Sequence, residues 1–186
     1  MINIGLDLDN CIFDSEPLYK QSFEGTGYKY YLPQKYLIHD TYPREVANKL
    51  LSLFRSEATY TTKPYDPTLA EYINSLINSQ KCDFHIITAR LTTCDPLTSS
   101  FNQLQKFNYQ IPISNIHITS LNKTEAINRY NINFMIDDNP HVAEDCIHTN
   151  AVPILISNEK TPYNQYLREK IKYYSDVKTA LKSIIK

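Results

Sequence analysis

Short, unbroken apolar runs alternate along the chain with stretches in which apolar residues recur every three or four positions. Ile2–Leu8 (INIGLDL), Phe84–Thr88 (FHIIT), Ile116–Thr119 (IHIT), Phe134–Ile136 (FMI) and Ile154–Ile156 (ILI) predict strands buried on both faces. A strand half open to water would instead alternate apolar and polar residues. Between these runs lie helices with readable starts. Asp66-Pro67 supplies a cap and a first-turn proline, after which Leu69, Ile73, Leu76 and Ile77 share one face. Asn122 followed by Glu125 fits a variant of the capping box, and Asn139-Pro140 repeats the cap-plus-proline signal. Val177, Ala180, Leu181, Ile184 and Ile185 make an apolar stripe near the C-terminus. Strand–helix alternation of this kind predicts an α/β fold, a Rossmann-like three-layer sandwich with a central parallel sheet and helices on both faces.

One stretch breaks the rhythm. From the end of the first strand to Pro64 no central strand can be read, tyrosines crowd (Tyr19, Tyr28, Tyr30, Tyr31, Tyr36, Tyr42), and Val46, Ala47, Leu50, Leu51 and Phe54 mark an amphipathic helix. The economical reading is a small helical cap, residues 15–62, inserted after strand one into a core formed by residues 1–14 and 63–186. Such an insert would sit over the carboxyl ends of the strands, where open α/β sheets bind ligands.

With 186 residues, 42% of them hydrophobic, the chain can bury the core of one domain. Nineteen Lys+Arg against 20 Asp+Glu, with no block of like charge, argue against nucleic acid held through its phosphate backbone. The apolar runs are far too short for a bilayer, and MINIGLDLDN has acidic residues where a signal peptide needs a basic flank. The expectation is a soluble, cytoplasmic protein with no membrane partner. Cys11, Cys82, Cys94 and Cys146 have no metal-site spacing and read as free thiols. The five histidines are scattered and read as surface or core residues. With three glycines in all, left-handed turn positions should fall largely to Asn.

Strand one runs directly into Asp7-Leu8-Asp9, and residues two apart on a strand point to the same side. Alone, Asp-x-Asp reads as a solvated strand end. A second pair, Asp137-Asp138, ends another apolar run, and four carboxylates at one sheet edge would repel unless a cation neutralised them. An all-oxygen set of this kind suits Mg²⁺. Thr88 would bring a hydroxyl to the same edge. Lys123 falls in the first turn of a predicted helix, a poor place for a cation unless an anion binds nearby. Lys123 reads as a solvated lysine in isolation and as a phosphate ligand within this set.

The ordered set DLDNC, IITAR, Lys123 and MIDDNP, spanning Asp7 to Pro140, resembles the four motifs of the haloacid dehalogenase superfamily of Mg²⁺-dependent phosphotransferases. Within it, the short chain, the cap after strand one, the double Asp and the segment Pro162-Tyr163-Asn164 resemble the 5′(3′)-deoxyribonucleotidase-like branch. Three positions depart from the pattern. Asn10 stands where Gly is common, Cys11 where Val or Thr is common, and Ser15 where a base-stacking aromatic is expected. Phe13–Tyr19 (FDSEPLY) is closer to sugar-phosphate phosphatases and mutases.

The resemblance implies that Asp7 is the nucleophile, Asp9 the acid and base, and Thr88 and Lys123 the phosphate ligands. It implies Mg²⁺ held by Asp7, Asp9 (through its carbonyl) and Asp137, with Asp138 as a further or supporting ligand. Arg90 is a candidate substrate contact or equally a structural ion pair. The substrate implied is a small phosphorylated metabolite, a nucleoside (deoxy)monophosphate. The alternatives are a sugar phosphate, a polynucleotide 3′-phosphate, or a non-catalytic nucleotide-binding module of the same fold.

Overall fold

The computed structural model describes residues 1–185, so Lys186, the last residue of the expected core segment, lies outside the described residues. Six parallel strands form one sheet: β1 (Ile2–Leu6), β2 (Cys82–Thr88), β3 (Ile116–Ile118), β4 (Phe134–Asp137), β5 (Val152–Ile156) and β6 (Tyr173–Tyr174). Their order is β3-β2-β1-β4-β5-β6. Successive strands are added on one side of β1 up to β3 and on the other side from β4 onward. The switch point therefore falls between β1 and β4, where a doubly wound sheet leaves a crevice at its carboxyl edge. Ile4, Leu6 and Leu8 are fully buried, each burial contributing about 1.5–3 kcal/mol.

The helices are α1 (Glu16–Phe23), α2 (Ile38–Thr41), α3 (Arg44–Phe54), α4 (Leu69–Asn78), α5 (Pro96–Lys106), α6 (Thr124–Arg129), α7 (Pro140–Asp145) and α8 (Val177–Ile184). Asn139 caps α7 as expected, accepting from the His141 N–H at 2.9 Å. Two starts are displaced. Asp66 accepts from the Thr68 N–H at 2.7 Å, and regular helix begins at Leu69. Asn122 accepts from the Thr124 N–H at 2.9 Å, an Asx turn in place of the reciprocal box, which leaves Lys123 at the N-cap of α6. Helix α5 and strand β6 have no counterpart in the hydrophobic pattern. The buried face of α5 carries Ser100 and Gln103 beside Leu104, so its periodicity is polar. Strand β6 is a two-residue edge strand. Left-handed φ occurs at Asn10 (57°), Gln80 (55°), Asn108 (63°) and Asn131 (49°) and at Gly25 (74°) and Gly27 (77°), so Asn takes three of these six positions among the described residues and glycine two. All four cysteines are free thiols.

Residues 15–62 contain α1–α3 and a 3₁₀ turn at Glu57–Thr61. Leu18, Tyr19 and Phe23 of α1 pack on Val46, Ala47 and Leu50 of α3, with Tyr42 between them. Much of the tyrosine excess is therefore packing: the Phe23 ring lies 5.6 Å from Tyr30, 5.6 Å from Tyr31 and 5.3 Å from Tyr42. The two connections to the rest of the chain run side by side, the Asp14 N–H donating to Lys63 at 2.9 Å and the Tyr65 N–H to Ile12 at 3.0 Å. Lys160 clamps the first connection, at 2.7 Å from Asp14 and 2.9 Å from Glu16.

Gly5 sits in β1 where a Cβ would come within 2.7 Å of Met135 Sδ and 3.2 Å of Ile132. Gly5→Val is expected to cost about 1–3 kcal/mol by overpacking; an unchanged urea midpoint would contradict this. On β2 and β3, His85 Nδ1 and His117 Nε2 share a 3.0 Å hydrogen bond, which requires one nitrogen to lack its proton. Burial, aided by His85 and Arg129, pushes His117 down to about 4. Burial also lowers His85, against the pull of Asp83. The unfolded chain takes up a proton below about 6.5 that the folded pair refuses. Stability is thus fully present above that pH and declines towards pH 4, with a His117 contribution of about 1–2 kcal/mol lost by pH 5. His117→Gln should shrink the drop in urea midpoint between pH 7 and pH 5; an identical drop would refute the assignment.

Candidate active site

Strand β1 delivers Asp7 to the carboxyl edge, and the Asp7 N–H donates to the Ile136 carbonyl at 3.0 Å, holding this loop to β4. The chain then turns sharply: the Ile12 and Phe13 N–H groups return to the Leu8 carbonyl at 2.9 and 2.8 Å. Asn10 takes the left-handed position in this turn. That accounts for an amide where glycine is common, since Asn tolerates this region by bonding locally. Its side-chain nitrogen reaches Asp138 at 3.4 Å and the Tyr163 hydroxyl at 3.3 Å. Asp7, Asp9, Thr88, Arg90, Lys123, Asp137 and Asp138 all line a single cavity of about 470 Å³. Every candidate residue read from the sequence is thereby brought together.

The floor is a buried charge cluster. Lys123 Nζ lies 2.5 Å from Asp7 Oδ1 and 2.8 Å from Asp137 Oδ2, so the lysine bridges the two carboxylates. Two of its three ammonium donors are used, and one is left for a further oxygen. Asp137 Oδ1 accepts from the Asn139 N–H at 2.9 Å. Asp138 accepts from the Tyr163 hydroxyl. The Asn164 amide spans the Asp138 carbonyl at 2.7 Å and the Ile156 carbonyl at 2.9 Å. The Pro162-Tyr163-Asn164 segment, matched by resemblance only, thus holds the second acidic pair in place. No feature of the sequence alone gives it that task.

Three carboxylates face one ammonium. Carboxylate oxygens of Asp7 and Asp138 lie, with the Cys11 sulfur, within 4.8 Å of one another. At that separation two charges repel by about 3 kcal/mol even with an effective dielectric of about 20. Burial, followed by the repulsion of Asp137 and Asp9 and offset by Lys123, pushes Asp7 up to about 7. Burial and the charges of Asp137 and Asp7 hold Asp138 well above the usual carboxylate range, against the Tyr163 hydrogen bond. Burial works against the Lys123 charge, but Asp137 and Asp7 outweigh it and hold the ammonium above its ordinary value. Cys11 is raised by burial and by the same carboxylates, so it stays a packed thiol. An excess of negative charge carried by hard oxygen donors suits a small divalent cation.

Arg90 is not free to meet a ligand. Its Nε and Nη2 bind Asp9 at 2.8 and 2.6 Å, and its Nη1 binds Gln103 at 2.6 Å. Of the two roles open in the sequence, the ion pair is the one formed, because the guanidinium fork is taken up by protein acceptors. Ser15 is fully buried and absent from the cavity wall. Tyr36 reaches the site, its ring 5.8 Å from Tyr163 and 5.6 Å from His141, and Tyr19, Phe54 and Tyr163 line the same cavity. Nothing in the sequence separates Tyr36 from the tyrosines that only pack. The rest of the wall is largely apolar, with Leu37, Ile38, Leu51, Phe54, Leu91 and Leu121, interrupted by His39, Asp40 and Arg55.

Several solved structures share this architecture end to end. A predicted phosphatase from Clostridium acetobutylicum superposes with a TM-score of 0.60 at 18% identity, covering 98% of this chain and 97% of that one. A HAD family hydrolase from Deinococcus radiodurans, with bound phosphate and sodium, matches with a TM-score of 0.60 at 15% identity, over 98% and 93%. The D,D-heptose 1,7-bisphosphate phosphatase of Burkholderia thailandensis matches with a TM-score of 0.57 at 12% identity, over 100% of both chains. The chain has the fold of these hydrolases. No protein-family model and no curated protein matches it. No helix among the described residues is long and apolar enough to cross a membrane.

Removing the ammonium from this cluster leaves buried carboxylates uncompensated. Lys123→Met is expected to lose about 3–5 kcal/mol in metal-free buffer, measured by denaturant titration. A variant as stable as the parent would show that Lys123 does not balance the cluster.

Proposed function

We propose that the chain is a phosphomonoesterase of the haloacid dehalogenase superfamily that uses Mg²⁺ and hydrolyses nucleoside monophosphates through an aspartyl-phosphate. The observation that carries this reading is the convergence of two acidic pairs, a threonine hydroxyl and a buried lysine on one cavity at the switch point of the sheet. Residues 1–14 and 63–186 are read as the core and 15–62 as the cap that closes the cavity from above.

Mg²⁺ would be held by the carboxylates of Asp7 and Asp138, whose oxygens lie within 4.8 Å of one another, and the main-chain carbonyl of Asp9, with Asp137, whose two oxygens accept from Lys123 and the Asn139 N–H, as a further ligand. When bound it supplies positive charge that offsets the repulsion between a carboxylate and a phosphate dianion. An Asp7 carboxylate oxygen attacks phosphorus, the ester P–O bond breaks, and Asp9 gives its proton to the leaving alkoxide. Asp9 then takes a proton from water as the water oxygen attacks phosphorus. The bond from phosphorus to Asp7 breaks, and inorganic phosphate and the free carboxylate are regenerated. Thr88 and the remaining donor of Lys123 hold the non-bridging oxygens as charge redistributes among them. Tyr163, Asn164 and Asn10 keep Asp138 oriented beside the cation site.

The nucleotide reading draws support from the flat and aliphatic surface of Tyr36, Leu37, Ile38, Leu51, Phe54 and Leu91, which suits a base. His39, Asp40 and Arg55 line the same cavity and could meet the hydroxyls of a sugar phosphate, so both substrate classes belong in the test. Phosphate release should be measured across 5′- and 3′-nucleoside monophosphates and sugar phosphates, with Mg²⁺ and with EDTA. The expected result is metal-dependent release from nucleotides, falling by more than about a thousandfold in Asp7→Asn with unchanged melting. Release from sugar phosphates alone would move the substrate. Turnover by Asp7→Asn at the parent rate would overturn the mechanism.

A further inference from the structure

Three buried side chains outside the proposed reacting groups form an unbroken line from Asp9 to the second connection of the cap. Arg90 grips both oxygens of Asp9, through Nε at 2.8 Å and Nη2 at 2.6 Å. Its third arm donates to Gln103 Oε1 at 2.6 Å. Gln103 in turn donates from Nε2 to the Thr62 carbonyl at 3.0 Å and to the Thr62 hydroxyl at 3.1 Å. Arg90, Gln103 and Thr62 are 4%, 3% and 4% exposed. Thr62 ends the 3₁₀ turn and is the last residue before the chain re-enters the sheet-bearing part. The guanidinium lies between two rings, 5.6 Å from Phe13 on the sheet side and 5.2 Å from Tyr60 on the cap side.

A buried arginine and a buried glutamine are costly unless each donor and acceptor is matched, and these match one another. A simple counter-ion for Asp9 needs neither the fork nor the glutamine. The two-point grip fixes the plane of the carboxylate as well as its charge. A carboxylate that must exchange a proton with an oxygen at a set position needs that plane fixed. The glutamine makes the grip depend on where Thr62 sits.

We propose that Arg90 is a positioning residue for Asp9, and that the Gln103–Thr62 contact ties the set of that carboxylate to the seating of the cap. The inference rests on the reading of Asp9 as the acid and base of a phosphomonoesterase. It assigns Arg90 no contact with substrate.

Leaving-group dependence tests it. An ester with a leaving group that is already stable as an anion, p-nitrophenyl phosphate, needs little help from an acid, whereas a phosphate ester of a primary alcohol needs it fully. Arg90→Lys keeps the charge and loses the fork. Its kcat/KM is expected to fall at least about tenfold further on the alkyl ester than on p-nitrophenyl phosphate, with KM little changed. Gln103→Met keeps the fork and cuts the tether, and should show the same bias at smaller amplitude. Equal losses on both esters would make Arg90 a packing residue and overturn the proposal. A shared rise in KM at constant kcat would make it a substrate contact and also overturn it. Should Arg90→Lys fail to fold, Gln103→Met decides alone, and a uniform loss or no loss refutes the tether. A parent protein inactive on every ester refutes the phosphatase reading itself, a result distinct from all of these.

Discussion

The ammonium of Lys123, placed between Asp7 and Asp137, is the contact on which the architecture of the site turns. Adjacency of β1 and β4 is imposed by burial of their apolar runs, and it forces the carboxylates that end those strands into one crevice. Each like-charge pair at this spacing opposes folding by a few kcal/mol, a large fraction of the net stability of a domain. One lysine offsets part of that repulsion and leaves the rest, which adds to burial, the larger cause, in raising Asp7 and Asp138. The residue of negative charge is what a divalent cation would neutralise. The fold thus tolerates a local strain that the proposed chemistry requires.

Support for the cluster comes from segments far apart in the chain. Asn10 turns the loop after β1 through a left-handed residue and bonds towards Asp138, while Asn164 staples the β4 loop to the end of β5 through two carbonyls. These amides act where a glycine-rich chain would use bare backbone. With three glycines available, close turns near the site are made by residues that also carry hydrogen-bonding groups, so the turns and the support of the carboxylates are the same residues.

The strands were legible because a parallel sheet covered on both faces leaves continuous apolar runs, and the acidic pairs were legible because they stop those runs abruptly. Helix α5 was not, and the reason is informative. Its inward face is polar because Gln103 must meet Arg90 and Thr62, so the residue that masks the helical period is the one that links Asp9 to the cap. Its start carries the same Asp-Pro signature as the helix after Asp66, and Asp95 does cap it, at 3.1 Å from the Leu97 N–H. Tyr36 was illegible for the opposite reason. It is one tyrosine among fifteen, and what distinguishes it is its position over the carboxylates, which no local pattern encodes. Arg90 was visible as a charged residue after a strand, but a guanidinium in sequence does not say whether its fork will face a ligand or a carboxylate.

The cavity divides its tasks by depth. Charged and hydrogen-bonding groups line the floor, where a phosphoryl group would react, and Tyr36, Leu37, Phe54, Leu91 and Leu121 line the upper wall. Interactions with the floor can strengthen as charge develops, so they act on rate, whereas contacts with the wall are alike in the ground and transition states and act on binding. Apolar walls also discriminate weakly. One methylene more or less is worth about 1–3 kcal/mol, whereas a polar wall group such as His39, Asp40 or Arg55 can be left unpaired when a ligand lacks the matching donor or acceptor. Selectivity in such a cavity therefore rests on the few polar groups set among the apolar ones, His39, Asp40 and Arg55, more than on the apolar surface itself.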